Sequence, residues 1–320
     1  MTIHLVRYRH DGQTRWGVVR GARVVPLERD YPTTAALIET GEADWRGAAS
    51  RADVVDLVAV ELQSPITAPA RVICQGANYR QHMIESGVDP DAKRFNMFFE
   101  KSDASITRPA GAIVRPAHVR LLDYEVELAL VFRKAITGPV TVAPERLHEY
   151  VFGVTIANDV SARDVQLPQT QFFKGKSYRT FCPLGPYLAV LEPDEVRQLD
   201  RLTLELAVNG AVRQRDSTAN LVYKPAETIT ELSTFSDVAA GDVLLTGTPA
   251  GCALRAPPRL VRNLMQLVMA EPRLWATFTR MQAKSGRYLQ PGDVVTARIA
   301  SADRSIDLGE QRHTVEGAAP

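Results

Sequence analysis

Short runs of alternating apolar and polar residues open the chain. In the stretch Ile3–Leu27 they are punctuated by Asp11-Gly12 and Arg20-Gly21. Alternation of period two broken by Asp-Gly and Arg-Gly predicts strands joined by tight turns. A helix is predicted from Thr33 to Glu42, and a second apolar stretch lies around Val54 to Leu62. Gln63–Val72 carries two prolines and reads as a linker, so a domain boundary is placed near it. Beyond it, RVICQGANYRQHMIES predicts a strand, a glycine turn and a helix, and SGVDPDAKRF predicts a loop. Strands dominate from Met97 to Val160, and Gly241–Leu254 reads as a strand ending in a Gly/Thr/Pro turn. Residues 253–290 change character. Val261, Leu264, Leu267 and Val268 have helical spacing, Pro272 interrupts, and Leu274, Trp275, Phe278 and Met281 resume it, so two amphipathic helices are expected. Leu289–Gly309 returns to strand, and no repeat of fixed period is present.

One strand breaks the ordinary pattern. LLDYEVELALVF, Leu121–Phe132, places Asp123, Glu125 and Glu127 two apart in an apolar run. Strand geometry sends Tyr124, Val126, Leu128 and Leu130 to one face and the three acids with Ala129 to the other. A half-buried strand with a wet acidic face is the plainer reading. Like charges in a row repel, however, and the run contains no Lys or Arg to relieve them. A hard divalent cation with oxygen ligands would.

Composition narrows the setting. The 320 residues are 45% hydrophobic and 23% charged, with a net charge of +1. That suits a globular protein of one large or two moderate domains and gives no polyanion-binding surface, so nucleic acid is set aside. Cys74, Cys182 and Cys252 form no CxxC pair and predict neither a disulfide framework nor a zinc knuckle. No apolar run reaches membrane-span length, and charges interrupt the first residues where a signal peptide needs an apolar core. The expected home is the cytoplasm.

Four further segments carry chemistry. In ANDVSARDVQ, Asp159 ends an apolar strand, where it could face a cleft or cap a helix. In NYRQHMIES, His82 and Glu85 are three apart on a predicted helix, either a surface pair or a general base with its orienting carboxylate. In FKGKSYRTFCPLGP, Lys174 and Lys176 flank a glycine, either as a solvated turn or as positive charge for a developing oxyanion. In LLTGTPAG, the glycines permit close backbone approach, and the hydroxyls of Thr246 and Thr248 could bind a carboxylate or carbonyl.

Taken together and in this order, GANYRQHMIE, LDYEVELALV, ANDVSARDVQ, GKSYRTFCPLGP, LLTGTPAG and LQPGDVV resemble the fumarylacetoacetate hydrolase family, from about Arg71 to about Val315. The branch is that of the bacterial acylpyruvases and 2-hydroxyhepta-2,4-diene-1,7-dioate isomerases. The resemblance implies a strand-rich α+β fold: a mixed β-roll catalytic domain over 67–320 with a helical insertion at about 253–290, preceded by a small N-terminal α/β domain over 1–66. It implies a homodimer. It places Glu125, Glu127 and Asp159 on metal-ligand positions, with Mg²⁺ or Mn²⁺ expected, and His82 and Glu85 on a catalytic dyad. Lys176 falls on the lysine near metal and substrate. Tyr79, Gln166, Thr248 and Lys101 fall at substrate-binding positions, and Arg179 replaces an acidic residue, which would favour an anionic distal group. The four-carboxylate site of the animal enzyme is not matched, since Asn78-Tyr79 stands where its extra Asp would be.

The reaction so implied is hydrolysis of a carbon–carbon bond in a β-diketo acid such as an acylpyruvate. His82, oriented by Glu85, would activate water, and Lys176 would stabilise the departing enolate. Decarboxylation of an oxaloacetate-like acid, or isomerisation or hydration of a dienoate, would use the same metal site without an attacking water. A non-catalytic cation-binding protein would have no use for the His-Glu pair or the lysines.

Overall fold

The computed structural model describes residues 2–92, 94–255 and 269–318. Its spine is Val126–Phe132, the predicted acidic strand, which is buried on both faces. It runs antiparallel to Val151–Asn158 on one side and to Val243–Leu245 on the other. Val243–Leu245 continues in parallel to Val72–Gly76, which pairs with Met97–Lys101. In the other direction Val151–Asn158 pairs with Leu188–Val190, and Leu188–Val190 pairs with His4–His10. The N-terminal strands therefore extend the same eleven-stranded sheet, through Gln13–Arg20, Arg23–Pro26 and Val55–Asp56. A second sheet of five strands, in the order Ala211–Ser217, Thr203–Val208, Val294–Ala300, Asp307–Gly317 and Ala110–Arg115, is antiparallel except for its last pair. The architecture is strand-rich α+β with mixed sheets.

Period-two alternation sorts the spine between two cores. Val126, Leu128, Leu130 and Phe132 join Leu204, Leu206, Val295 and Ile299 of the second sheet in the larger core. Ala129 and Val131 face the other way, toward Leu5, Trp16, Trp45 and Phe152. The acidic face is thus cleft at its start and core at its end. It is not wet: Asp123, Glu125 and Glu127 are all buried.

Local sequence explains the first two hairpin turns and the cap of the first helix. Asp11 and Gly12 both take positive φ in a two-residue hairpin, and Gly21 does so in the next. Thr33 caps the helix Thr34–Thr40, its hydroxyl accepting from the Ala36 N–H at 3.1 Å. The predicted helix continues, after a cap at Gly41, as a separate one over Glu42–Gly47. Of the two expected helices in 253–290, the one with Leu274, Trp275, Phe278 and Met281 forms over Glu271–Ala283, with Pro272 in its first turn, where proline is tolerated. The one over Val261–Val268 lies outside the described residues. Among the described residues, no helix is long and apolar enough to cross a membrane.

Candidate active site

The acidic strand is not continuous. Leu122–Asp123 pairs with Ser161–Ala162, and regular pairing resumes at Val126. Between them the Glu125 N–H donates to Asn158 Oδ1 at 2.9 Å, and the Asp159 N–H to the Glu125 carbonyl at 2.8 Å. Glu127 stands opposite Ala157 in the ladder, two residues before Asp159. Adjacent strand ends thereby converge Glu125, Glu127 and Asp159, whose carboxylate oxygens lie within 4.8 Å of one another. Asp159 caps no helix: the helix Arg163–Gln169 has Ala162 at its N-cap and no side-chain cap.

Three buried cations answer the acids. Lys176 Nζ donates to Glu125 Oε2 and, at 2.5 Å, to Asp159 Oδ2. Lys101 Nζ donates to Asp159 Oδ1 at 2.5 Å and to two backbone carbonyls. Arg163 bridges Asp123 Oδ2, at 2.9 Å, and Glu125 Oε1. Gly175 lets the short helix Phe172–Lys176 lie this close, because a Cβ there would come within 2.8 Å of the Gln166 backbone. Lys174 on the same helix points to solvent.

Four buried carboxylates thus face three cations, and Glu127 is left over. Among the described residues its carboxylate has no ion-pair partner. Its Oε2 accepts the Gly247 N–H at 2.7 Å. Gly247 has φ +90°, and a Cβ there would press on Asn78 and the Gln75 carbonyl, so glycine is required for this contact. Burial and the charges of Asp159 and Glu125 hold the Glu127 carboxyl well above the usual range. For Glu125, burial opposes ionisation, but Arg163 and Lys176 outweigh it and hold the carboxyl well below that range. Lys176 is pushed up: burial disfavours its charge, and the charges of Asp159 and Glu125 prevail. An all-oxygen donor set with one uncompensated carboxylate fits a hard divalent cation such as Mg²⁺ or Mn²⁺.

The other expected residues separate into two groups. His82, Gln166, Lys176 and Thr248 line one cavity of about 340 Å³ with the three carboxylates. Gln166 Oε1 accepts from Arg163 at 3.0 Å, and its amide nitrogen makes no bond to the described residues. Thr248 spends its hydroxyl proton on the Val126 carbonyl and accepts from Gln214. His82 is kept from protonating chiefly by burial, against the charge of Glu125. Its Nδ1 lies 3.9 Å from Cys252 Sγ, which is 3.8 Å from Glu125 Oε1. Burial raises the Cys252 thiol well above its ordinary value, so it stays protonated.

Glu85, Tyr79, Lys101 and Arg179 lie outside that lining. The expected bond from His82 to Glu85 is not formed: Glu85 Oε2 accepts the Gly251 N–H at 3.1 Å and pairs with Arg255. Three residues of helical spacing bring the two side chains to one side, and Arg255 takes the carboxylate. Tyr79 is fully buried in the larger core with its hydroxyl unpartnered. Lys101 reaches the site through Asp159. Arg179 is exposed and does not line the cavity. Arg163, which the sequence did not single out, and Asp123, the first acid of the run, do structural service. Arg163 supplies the charge the acidic run lacks. Asp123 accepts the N–H groups of Ala253 and Leu254 at 2.7 and 3.0 Å and pins the turn beside the cavity. Surplus acid in a buried strand was the signal for Arg163.

Comparison with known proteins agrees with this geometry. Residues 71–316 match the fumarylacetoacetate (FAA) hydrolase C-terminal model, and residues 3–59 match an Rv2993c-like N-terminal model. The chain is 39% identical over 207 residues to oxaloacetate tautomerase YisK of Bacillus subtilis (strain 168), spanning 64% of this chain and 67% of that protein. It is 37% identical over 254 residues to the mitochondrial oxaloacetate tautomerase FAHD2A of Homo sapiens, spanning 76% and 79%. Among solved structures, a fumarylacetoacetate hydrolase from Exiguobacterium antarcticum superposes with a TM-score of 0.72 at 30% identity, covering 99% of this chain and 100% of the other. A probable 2-hydroxyhepta-2,4-diene-1,7-dioate isomerase from Mycobacterium abscessus gives 0.72 at 30%, with full coverage of both. With residues 71–316, well over half of the chain, matched to that family model, the chain belongs to the fumarylacetoacetate hydrolase family.

Proposed function

We propose that the chain interconverts the keto and enol forms of a 2-oxo acid at a divalent cation held by Glu125, Glu127 and Asp159. The observation that carries this is the buried Glu127 carboxylate, left without a cation where its two neighbours are paired. When bound, the cation supplies Lewis acidity that lowers the cost of negative charge on the 2-oxo oxygen. The chain's own residues do the rest. Lys176, held between Glu125 and Asp159, keeps a fixed positive charge beside that oxygen. His82 lines the cavity and is neutral near pH 7, so it takes the proton leaving carbon 3 and delivers it to the 2-oxo oxygen to give the enol; in the reverse direction it takes the proton from that oxygen and returns it to carbon 3. The Gln166 amide offers an N–H to the substrate's carboxylate. Two similar proteins of this family are oxaloacetate tautomerases, which supports enolisation as the reaction.

Hydrolysis of a carbon–carbon bond asks more of the site. It needs a water activated by His82 with Glu85 behind it, and Glu85 is engaged by Arg255 and Gly251. Enolisation needs no such water. The test follows the ultraviolet absorbance of a freshly dissolved enolic 2-oxo acid, with Mg²⁺ and after chelation, and identifies products by mass. Chelator-sensitive loss of the enol with no change of mass is expected. Cleavage to a carboxylic acid and a smaller 2-oxo acid would overturn the proposal in favour of hydrolysis.

A further inference from the structure

The cavity has two chemically different ends. One holds the carboxylates, Lys176, Arg163 and His82. The other is walled by Phe99, Leu167, Phe172, Leu274, Trp275 and Phe278. Aromatic pairs stiffen this wall: Phe99 meets Phe172 edge-on at 5.2 Å, and Trp275 meets Phe278 edge-on at 5.9 Å. Phe99 also lies 5.3 Å from Lys176 Nζ, so the apolar wall begins beside the reacting centre. The helix Glu271–Ala283, which supplies Leu274, Trp275 and Phe278, is anchored rather than loosely laid on. Gln282 donates to the Arg255 carbonyl at 2.9 Å, Tyr288 donates to Gln282 at 2.9 Å, and Phe278 packs on the larger core.

Charge sharpens the contrast. Both lysine and arginine side chains that line the cavity among the described residues, Lys176 and Arg163, are already committed to Asp123, Glu125 and Asp159. A second substrate carboxylate at the far end would lose water and meet one unpartnered neutral donor, the buried Trp275 Nε1, and no uncommitted lysine or arginine among the described residues, which is unfavourable. An aryl or branched alkyl group there would bury apolar surface against six side chains.

We infer that the far end of the cavity is a subsite for an apolar group, so that the substrate class is 2-oxo acids bearing an aromatic or branched alkyl distal group rather than a second carboxylate. The inference rests on the enolisation reading for the other end of the substrate. It assigns Trp275 as a specificity-determining residue, contributed by a helix remote in sequence from the carboxylates.

Calorimetric titration of the full chain in Mg²⁺ with three unreactive mimics tests it: oxamate, N-benzyl oxamate and N-carboxymethyl oxamate. The benzyl compound is expected to bind about 10- to 100-fold tighter than oxamate, from burial of one ring. The carboxymethyl compound is expected to bind no tighter than oxamate. Trp275→Ala should lower the benzyl-to-oxamate affinity ratio about 10-fold, and Trp275→Arg should reverse the order of benzyl and carboxymethyl. Each variant is scored by a ratio on one preparation, so loss of folded protein cancels, and the wild-type comparison stands without the variants. Tighter binding of the carboxymethyl compound to wild type, or an unchanged ratio in Trp275→Ala, overturns the subsite. Absence of Mg²⁺-dependent oxamate binding overturns the enolisation reading first, and the subsite with it.

Discussion

Glu127→Gln is expected to make the metal-free protein more stable while abolishing its response to metal. Glutamine has the same shape, and its carbonyl oxygen still accepts the Gly247 N–H now donated to Glu127 at 2.7 Å. What disappears is a buried ionisable group that has no cation beside it to stabilise its charge. Leaving such a group desolvated costs about 1–3 kcal/mol, so the variant should gain about that much in chelator. For a chain of 320 residues that is roughly 1.5–4.5 °C in melting temperature. Because burial and neighbouring acids raise the Glu127 carboxyl in the folded state above its ordinary value of 4.5, the folded protein holds that proton more tightly than the unfolded chain. Wild-type stability in chelator therefore falls as pH rises past that value, and the advantage of the variant grows with it. Saturating Mg²⁺ or Mn²⁺ inverts the comparison. At a hundredfold excess over Kd, wild type gains about 2.7 kcal/mol and the variant gains little. Melting curves of both proteins, with chelator and with metal, at pH 5 and pH 8, give the eight melting temperatures needed. A variant that melts lower than wild type in chelator at pH 8, or that gains as much from metal, would refute the reasoning.

Other perturbations probe the same charges from different sides. Lys176→Met breaks the ion pairs to Glu125 and Asp159, so the metal-free protein should lose about 3–5 kcal/mol and regain more than wild type on adding Mg²⁺, as read by denaturant titration; turnover should fall about 100- to 1000-fold. Arg255→Ala releases Glu85, whose charge would then reach His82; the acid limb of the kcat/KM profile should move to higher pH, and an unmoved limb would mean that Glu85 does not reach the imidazole. Far from the site, His313 donates from Nε2 to the Arg108 carbonyl at 3.0 Å and leaves Nδ1 buried without a partner. Burial lowers its pKa from 6.5 to about 4, so the unfolded chain binds the proton first as pH falls. Stability should then drop by about 3 kcal/mol between pH 6.5 and pH 4, and His313→Gln, which keeps the donor, should flatten that loss in pH-dependent unfolding.

Period-two alternation made much of this legible beforehand. It put Leu128 and Leu130 in one core and turned Glu125 and Glu127 away from it. The family motifs marked Asp159, Lys176 and the Gly247 turn. The order of hydrophobic runs also anticipated the hairpins and the helix carrying Trp275. Missing from it were contacts between residues far apart in the chain. Arg163 reaches Glu125 across 38 positions and Lys101 reaches Asp159 across 58, and no local spacing encodes such pairs. Helical spacing put His82 beside Glu85, but it could not show that Arg255 and the Gly251 N–H compete for the carboxylate. The motif also named Arg179, but a motif carries no information about exposure, and Arg179 is exposed outside the cavity lining.

The shared sheet has a consequence for biosynthesis. His4–His10 takes Leu188–Val190 as its neighbour, with His4 opposite Ala189. A ribosome must therefore emit well over half the chain before the N-terminal hairpins find that edge, and until then their open strand can recruit wrong partners. Closing a contact of such sequence separation is slow. Leu188–Val190 is also the neighbour of Val151–Asn158, the strand that ends beside Asp159, so one three-residue strand joins the N-terminal hairpins to the strands that carry the carboxylate centre.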